Sequence, residues 1–425
     1  MFVSLQVRNY RLFFAGQVVS NIGTWMQRIA QDWLVFQLSG HNPVVLGVAV
    51  ALQFIPTVLL SLWAGVLADR MDKRRLCIVI QSGIAVQAGV LGLLDVSGVV
   101  VLWHAYVLCF VLGIFSALDV PARQAFVAEM VGRVLVPNAV ALNYSVFNMA
   151  RIVGPAMAGF GITWVGTGWM FLANAVSTLA VIAGLLLMEP SELFGASVAG
   201  RAKGQLREGL YYMRRRSDLI TVLLLVFFVS TFGNTFATSL AVVAGNVFST
   251  QADGYGMLST LLAVGTLAGS LLSARRGARS APRVRVMLLA SLGFGAAEVA
   301  ASFMPTYLAF GVALMPVGLA SVTFLNTAMS LVQARCSPEM RGRVMGFYVL
   351  AQLGGYPLGG PLVGWMAETF GGRSPLYVGG AISMIATLAC SIILVRNRLI
   401  RSALASQYLP GSKNDQALSQ LPPRS

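Results

Sequence analysis

The sequence has few charged residues for its length. Asp, Glu, Lys and Arg together make up 11% of its 425 residues, whereas hydrophobic residues make up 57% and the mean hydropathy is +0.76. A soluble domain typically carries about a quarter charged residues. The composition therefore excludes an ordinary soluble domain and predicts an all-α protein that crosses a membrane many times.

Cysteine is also scarce, and the usual catalytic motifs are missing. The four cysteines are scattered without the spacing of a metal site or a disulfide framework, so we expect them to serve packing. The sequence contains no phosphate-binding loop of the GxxxxGK[ST] type and no recognisable nucleophile and base pair. We therefore expect no metal, no cofactor, no ATP hydrolysis and no enzymatic activity, and movement of a substrate would have to be driven by a gradient or by a partner.

Basic residues outnumber acidic ones, with 30 Lys and Arg against 15 Asp and Glu. Such an excess would suggest nucleic acid if it formed one surface patch. The basic residues instead recur in short clusters between apolar stretches, so we expect membrane lipids and no nucleic acid as surroundings. The first apolar stretch follows Arg8 and Arg11, is long enough to span, and lacks a small-residue cleavage site, so we expect it to be retained.

Twelve stretches are long and apolar enough to span a bilayer, which needs about 20 apolar residues per helix. The predicted spans cover residues 11–37, 43–67, 76–96, 101–122, 137–164, 168–188, 218–247, 254–274, 284–303, 306–333, 343–368 and 375–396. All but three of the Lys and Arg residues lie in the termini and in every second loop, the exceptions being Arg28, Arg151 and Arg373. The positive-inside rule therefore predicts that both termini lie in the cytoplasm.

One long polar segment divides the spans six and six. The predicted domains are a six-helix bundle at 1–189, a cytoplasmic linker at 190–217, a second six-helix bundle at 218–398 and a flexible cytoplasmic tail at 399–425. Within the linker, Leu206, Leu210 and Met213 share one face of a possible helix. This pattern is typical of an interfacial helix on an anionic leaflet, although a solvated linker fits equally well.

The two halves resemble each other. The fifth span contains ARIVGPAMAG around Pro155, and the eleventh contains LGGPLVG around Pro361. A repeat of two six-span halves is the signature of a transporter whose substrate site lies between the halves.

The loop between spans two and three, GVLADRMDKRR at residues 65–75, resembles the conserved loop motif of the major facilitator superfamily. Asp72 stands where the superfamily usually has glycine. The resemblance implies two six-helix bundles around a central cavity that opens alternately to each side. It also implies a cytoplasmic gate, assigned here to Gly65, Asp69, Arg70, Arg74 and Asp119.

Other segments narrow the resemblance to one branch of exporters. The resemblance is to enterobactin-exporter-like and macrolide-efflux-like carriers, and it is carried by MQRIAQDWLVFQLSG, DVPARQAFVAEMV, PNAVALNYSVFNMARIVGPAMAG and RGRVMGFY. It implies a multi-pass protein of the inner membrane of a bacterium. The GPAMAG element, with Gly154, Pro155 and Gly159, resembles the fifth-span motif of antiporters. The fourth span departs from many proton-coupled drug antiporters because it has no arginine in its apolar part.

The first span carries two charges inside an apolar stretch. Asn21, Trp25, Arg28 and Asp32 lie on one stripe of the predicted helix. A charge at the bilayer centre costs roughly 2.5–3.5 kcal/mol, so this stripe is expected to face the bundle interior or a wet cavity. We assign proton coupling to Asp32 with Arg28. The alternative is an ion pair one turn apart that only fixes the rotation of the helix.

The fifth span contains a further intramembrane cation, Arg151. It would meet an anionic substrate or a carboxylate, or serve as a fixed structural partner for an acid on another helix. Polar residues in spans that line the cavity in the family complete the predicted pocket: Gln53, Asn143, Asn234 and Asn326. Glu298, in the ninth span, is expected to have a packing role.

The sequence thus predicts a secondary active transporter. It would export an amphiphilic small molecule, a drug or siderophore-like compound, by proton antiport through alternating access. An importer or facilitator on the same scaffold is the nearest alternative, and a membrane receptor or assembly scaffold is a more distant one. The expected partners are a small-molecule substrate, protons and lipids, and the oligomeric state stays open, with a monomer compatible with the sequence.

Overall fold

The computed structural model describes residues 2–194, 205–277, 281–337 and 340–408, and this part of the chain is helical, without strands. The expectation of an all-α protein is confirmed. The helices are α1 Arg8–Leu38, α2 Pro43–Arg70, α3 Lys73–Val96, α4 Leu102–Val165, α5 Thr167–Leu186, α6 Gln205–Arg214, α7 Ser217–Phe232, α8 Phe236–Val242, α9 Ala252–Gly277, α10 Val284–Ser302, α11 Tyr307–Arg335, α12 Arg341–Leu353, α13 Gly355–Phe370 and α14 Ser374–Tyr408.

Every predicted span coincides with helical structure, but not every span is one long apolar helix. By length and composition, nine helical segments of the described chain qualify as membrane crossings. The other three predicted spans fall on α1, on the second part of α4, and on α12 followed by α13. Charged residues lower the apolarity of α1, and Gly354 divides the eleventh predicted span into two shorter helices.

Two features depart from one straight helix per predicted span: a bend that joins two spans within α4, and a break inside the seventh span. The helix α4 contains both the fourth and the fifth predicted span and bends at Gly132, whose φ of 70° suits a residue without a side chain. The seventh predicted span is broken between α7 and α8 at residues 233–235, and a π-helical turn, Val243–Val247, follows α8. Irregular backbone at membrane depth is tolerated where it lines a cavity or is buried in protein.

Local capping explains where two helices begin. The Asn42 side chain accepts hydrogen bonds from the backbone N–H groups of Val44 and Val45, at 2.9 and 3.1 Å, and caps α2. Asp72 accepts a hydrogen bond from the backbone N–H of Arg75, at 2.8 Å, and caps α3. The departure from the usual glycine at residue 72 therefore supplies a helix cap.

The helix ends meet at two opposite faces of the molecule. At one face, Arg8 pairs with Glu189 at 3.0 Å and Lys73 pairs with Glu129 at 2.7 Å. We call this end, which carries the basic loops, the basic face. The opposite end, called the second face, comprises the turns at 39–42, 97–101, 248–251, 303–306 and 371–373.

The helices form two groups that touch toward the second face. The first group is α1–α5 and the second is α7–α14; α2 packs on α13, and the second part of α4 packs on α9. Glycines permit this contact: a Cβ at Gly47 would overlap the carbonyl oxygen of Gly360, and one at Gly256 would lie 2.5 Å from the carbonyl oxygen of Pro155. Close backbone packing thus closes the molecule at the second face.

Hydrogen bonds reinforce this closure. The Asn42 amide donates to Glu368 Oε1 at 3.1 Å, and the Asn246 amide donates to the carbonyl oxygen of His41 at 3.2 Å. Both bonds join the first group to the second group across the turns of the second face.

The linker helix predicted from the sequence is present as α6. It is joined to the second group by an ion pair between Glu208 and Arg343, 2.8 Å apart. Met213 is buried, whereas Leu210 is 54% exposed. The side chain of Leu206 lies outside the described residues. The described part of the helix therefore has a docked side and an apolar residue facing outward.

At the basic face, Asp218 forms ion pairs with two arginines. Its carboxylate lies 3.0 Å from Arg216 and 3.7 Å from Arg335, and so connects the start of α7 to the end of α11. The hydrogen bond from Arg216 to Asp218 raises the pKa of Arg216. A cation whose pKa is raised on folding contributes stability that disappears only as the pH rises through that pKa, so this contribution is lost only at strongly alkaline pH.

An Asp218→Ala variant is expected to be less stable because the partly exposed guanidinium groups of Arg216 and Arg335 lose their counter-charge. Because solvent screens partly exposed ion pairs, the loss is expected to be about 1 kcal/mol, so the Tm of the purified protein in detergent should fall by a few degrees. Glu192→Ala, an exposed acid at the same face, serves as the control. An Asp218→Ala protein with the Tm of the parent would show that the cluster is not stabilising.

Candidate functional site

A cavity of about 380 Å³ lies between the two groups of helices. We call it the central cavity. Its walls come from α1, α2 and the second part of α4 on one side, and from the residues around the break after α7, α8, α9, α11, α12 and α13 on the other. Seven of the predicted site residues line it: Trp25, Arg28, Asp32, Gln53, Arg151, Pro155 and Asn234.

Two guanidinium groups lie over one indole ring in this cavity. The Cζ atoms of Arg28 and Arg151 are 4.9 and 5.5 Å from the centroid of the Trp25 ring. Gly154 makes this approach possible, because a Cβ there would lie 2.5 Å from the Cβ of Trp25. Phe147 packs edge-on against Trp25, with ring centroids 5.5 Å apart.

Asp32 bonds across the two groups. Its Oδ2 accepts a hydrogen bond from the Tyr255 hydroxyl at 2.9 Å, which joins α1 to α9. Trp33 stacks on Tyr255, with centroids 6.1 Å apart. Among the described residues, Arg28 and Asp32 do not approach within ion-pair distance, so the helix-fixing pair considered from the sequence is not formed here.

An adjoining cavity of about 310 Å³ extends from Arg28 toward the basic face, and we call it the vestibule. It shares Trp25, Arg28, Phe54, Phe147 and Tyr356 with the central cavity. Phe54 of α2 stacks on Tyr356 of α13, with centroids 4.5 Å apart, where the two cavities meet. The two cavities thus adjoin at these shared residues, and the vestibule extends from them toward the basic face.

Three predicted pocket residues lie away from the central cavity. Asn21 lines the vestibule and donates to the carbonyl oxygen of Gln17 at 2.7 Å. Asn143 lines a side cavity within the first group and accepts a hydrogen bond from Tyr10 at 3.1 Å. Asn326 lines a cavity among α9, α10 and α11 near the basic face.

The predicted gate is described only in part. Arg74 donates to the carbonyl oxygens of Leu185 and Leu186, at 2.7 and 3.0 Å, and Asp119 pairs with Arg123 at 2.6 Å. These bonds stay within the first group. The side chains of the other predicted gate residues, Gly65, Asp69 and Arg70, lie outside the described residues.

The GPAMAG motif lies where the groups meet. Gly154 contacts Trp25, and Gly159 packs on Asp253, with a built Cβ 3.0 Å from its Cα. The carbonyl of Pro155 faces Gly256. The motif therefore lets α4 approach both α1 and α9 closely.

Apart from Asn234, the sequence did not indicate which residues of the second group line the central cavity. Tyr255 and Tyr356 line the cavity, and Ser321 donates to Asn234 Oδ1 at 2.7 Å. The local signal was the DGYG sequence at the start of α9, where Gly256 next to Tyr255 lets α9 pack closely on Pro155 of α4. Within the described ranges, no cluster of three His, Cys, Asp or Glu side chains could hold a metal ion.

Comparison with known proteins agrees with this architecture. A family model described as "Transmembrane secretion effector" matches residues 1–420. The staphyloferrin A transporter of Staphylococcus aureus is 26% identical, with 85% of this chain and 90% of that protein covered. The enterobactin exporter of Shigella boydii is 21% identical, with 92% and 93% covered. The macrolide efflux protein A of Streptococcus pyogenes is also 21% identical, with 91% and 96% covered.

Solved structures show the same fold. The crystal structure of a D-xylose-proton symporter superposes with a TM-score of 0.68 at 15% identity, covering 91% of this chain and 96% of that one. The resemblance stated from the loop motif and the exporter-like segments is confirmed. The apolar helices and the bacterial relatives identify a multi-pass protein of the inner membrane. The chain therefore belongs to the transmembrane secretion effector family of major facilitator superfamily transporters.

Proposed function

We propose that the protein exports an amphiphilic small molecule by proton antiport, with the central cavity open alternately to each side of the membrane. The observation that carries the proposal is the bond between Asp32 and Tyr255, which places a protonatable group at the contact between two groups of helices. Two relatives are named as an exporter and an efflux protein, which supports export as the direction.

The proposed topology follows from the basic loops. Twelve crossings in two six-helix bundles, at 1–189 and 218–398, would place the basic face and both termini in the cytoplasm. This conformation is closed at the second face and has the vestibule on the side of the basic face, so under the proposed topology it would be the one open to the cytoplasm. Substrate enters this conformation through the vestibule and leaves after the second face opens.

Coupling requires that Asp32 bind a proton with different affinity in the two conformations. The bond to Tyr255 exists only while α1 and α9 are in contact. When the second face opens, α9 moves away from α1, and the Asp32 carboxyl meets water from outside instead of the Tyr255 hydroxyl. A proton taken up from outside and released toward the cytoplasm would thus accompany each outward passage of substrate.

The proposed gate at the basic face would be closed in the other conformation of the cycle, in which the cavity faces outward. Asp69, Arg70, Arg74 and Asp119 would pair with the second bundle only when the cavity faces outward. Such a latch biases the populations of two conformations without forming part of the substrate site. The bonds of Arg74 and Asp119 within the first group are compatible with this latch being disengaged here.

A transport assay with inverted membrane vesicles tests the proposal. In these vesicles export appears as uptake, so a panel of amphiphilic compounds should accumulate when the interior is acidified and should stop accumulating when a protonophore collapses the gradient. Vesicles lacking the protein are the control. Uptake in right-side-out vesicles alone would favour an importer, and uptake unaffected by the protonophore would favour a facilitator. Absence of flux for the whole panel would contradict transport as the function of this cavity.

A Tyr255→Phe variant is expected to keep substrate binding and to lose much of the pH dependence of export. The phenyl ring preserves the stacking on Trp33, but Asp32 loses the hydroxyl contact that differs between the conformations. The export rate should therefore change less with pH than it does in the parent protein. Tyr307→Phe is the matched control, because the Tyr307 hydroxyl donates to the backbone carbonyl of Gly254 within the second group, at 2.9 Å. A Tyr255→Phe profile identical to that of the parent would remove Tyr255 from the coupling mechanism.

A further inference from the structure

The central cavity holds two arginines that have neither an ion-pair partner within 4 Å nor a hydrogen-bond acceptor among the described residues. Neither Arg28 nor Arg151 lies within 4 Å of a described carboxylate, and neither donates a hydrogen bond to a described side chain or carbonyl. Their contacts with the protein are cation–π contacts with Trp25. The nearest acid on the same helix, Asp32, is engaged by Tyr255.

This arrangement leaves excess positive charge at the centre of the membrane. An arginine stays protonated in proteins, so neither side chain can relieve the cost of burial by losing its proton. A cation at membrane depth is normally paired with an acid, with backbone carbonyls or with water. Contact with the indole face offsets part of the cost, but it leaves the N–H donors of both guanidinium groups available to a ligand.

We infer that the substrate is an amphiphilic anion whose carboxylate, or a similar planar anionic group, binds to Arg28 and Arg151 beside Trp25. This inference rests on the proposed function and specifies the substrate class. The guanidinium fork matches a carboxylate with two parallel hydrogen bonds, which gives both strength and orientation. Two such forks in one cavity select for negative charge.

The rest of the wall accommodates an apolar portion next to that charge. Phe147 lies against Trp25, and the stacked rings of Phe54 and Tyr356 border both the central cavity and the vestibule. Aromatic rings provide broad apolar contacts with defined geometry. A molecule with an anionic end at the two arginines and a planar apolar end against Phe54 and Phe147 would therefore contact both features.

Binding to the purified full-length protein tests the inference without requiring transport. The probes are 1-naphthylacetate and its uncharged amide, 1-naphthylacetamide, which have one skeleton and differ in charge. Phosphatidylcholine nanodiscs avoid competition from anionic lipid headgroups. The carboxylate should bind about tenfold or more tightly than the amide, because its bonds are assisted by charge. Arg28→Gln and Arg151→Gln should each weaken carboxylate binding about tenfold and leave amide binding unchanged.

Arg373→Gln is the matched control. Arg373 also lies over an aromatic ring, with its Cζ 5.3 Å from the centroid of Phe248, but at the second face and outside the central cavity. The Arg373→Gln variant should bind the carboxylate as tightly as the parent protein does. Thermal unfolding of each variant identifies loss of fold, and Arg28→Lys and Arg151→Lys, which retain the charge, should recover part of the carboxylate affinity.

The outcomes separate this inference from the proposed function. Equal binding of the two probes, no binding of either, or equal losses of both probes in well-folded Gln variants would overturn the anion site. If a cationic dye such as ethidium is still exported with the proton gradient, proton-driven export would stand without the anion site. If the carboxylate binds through both arginines but no compound responds to the gradient, the anion site would stand and proton antiport would fail.

Discussion

Replacement of Asp32 by asparagine is expected to abolish gradient-driven export while substrate binding stays measurable. Asparagine has nearly the same size, and its carbonyl oxygen can still accept the hydrogen bond from Tyr255, so the contact between α1 and α9 should survive. What is lost is the ability to bind and release a proton. Accumulation in inverted vesicles should fall to the level seen with a protonophore, and binding should become less dependent on pH.

Glu298→Gln provides a matched control for this experiment. Glu298 is a second buried acid, 1% exposed, but it lies on α10 and does not line the central cavity. The variant should retain gradient-driven export. Export at the parental rate by well-expressed Asp32→Asn protein would leave Asp32 a structural contact. Loss of export in Glu298→Gln instead would move the coupling site to α10.

The helical architecture could be predicted because burial in lipid imposes a simple demand on the sequence. Each crossing needs a long apolar stretch, and the arginines that remain outside those stretches mark alternate loops. The same criterion could not foresee the breaks at 233–235 and at Gly354, since short polar or glycine-rich interruptions do not change the average apolarity of a stretch. The count of twelve crossings therefore stays a prediction.

The first-group side of the site could largely be predicted, whereas on the second-group side the sequence correctly indicated Asn234 alone. The periodicity of α1 placed Trp25, Arg28 and Asp32 on one stripe, and all three line the central cavity. The partner of Asp32 is 223 residues away in the sequence, and no local pattern specifies which face of α9 meets α1. Asn143 and Asn326 were predicted to line the pocket, but they lie away from the central cavity. A single amide in an apolar helix is as compatible with a helix–helix contact as with a cavity wall, so the sequence cannot distinguish the two.

The interpretation of Arg28 and Asp32 also changes when the second group is present. Spacing one turn apart suggested that each charge compensates the other. In the structure Asp32 is engaged by Tyr255 and Arg28 lies over Trp25, so the two charges serve different contacts. The acid links the two groups of helices, and the cation faces the cavity. This separation is what allows proton coupling and substrate binding to be tested by different variants.

The backbone contact at the second face leads to the other large expected effect. A Gly47→Val variant should lose export because the molecule can no longer close there. The side chain would overlap the carbonyl oxygen of Gly360, and backbone cannot move aside as the end of a flexible side chain can. The helices α2 and α13 would have to separate, which favours the conformation open at the second face.

Accessibility of a reporter cysteine measures this shift directly. Leu240 lines the central cavity and is 1% exposed in the closed arrangement, so a cysteine introduced there should react slowly with an impermeant maleimide added from the second face. In the Gly47→Val background the reaction should become faster as export disappears. Gly293→Val is the control, because Gly293 lies on α10 with no atom within 4 Å of a built Cβ, and both export and labelling should match the parent. Normal export with unchanged labelling in Gly47→Val would contradict this prediction, because α2 and α13 would then close without the glycine contact. The contact that controls closure of the second face would in that case have to be the one between α4 and α9.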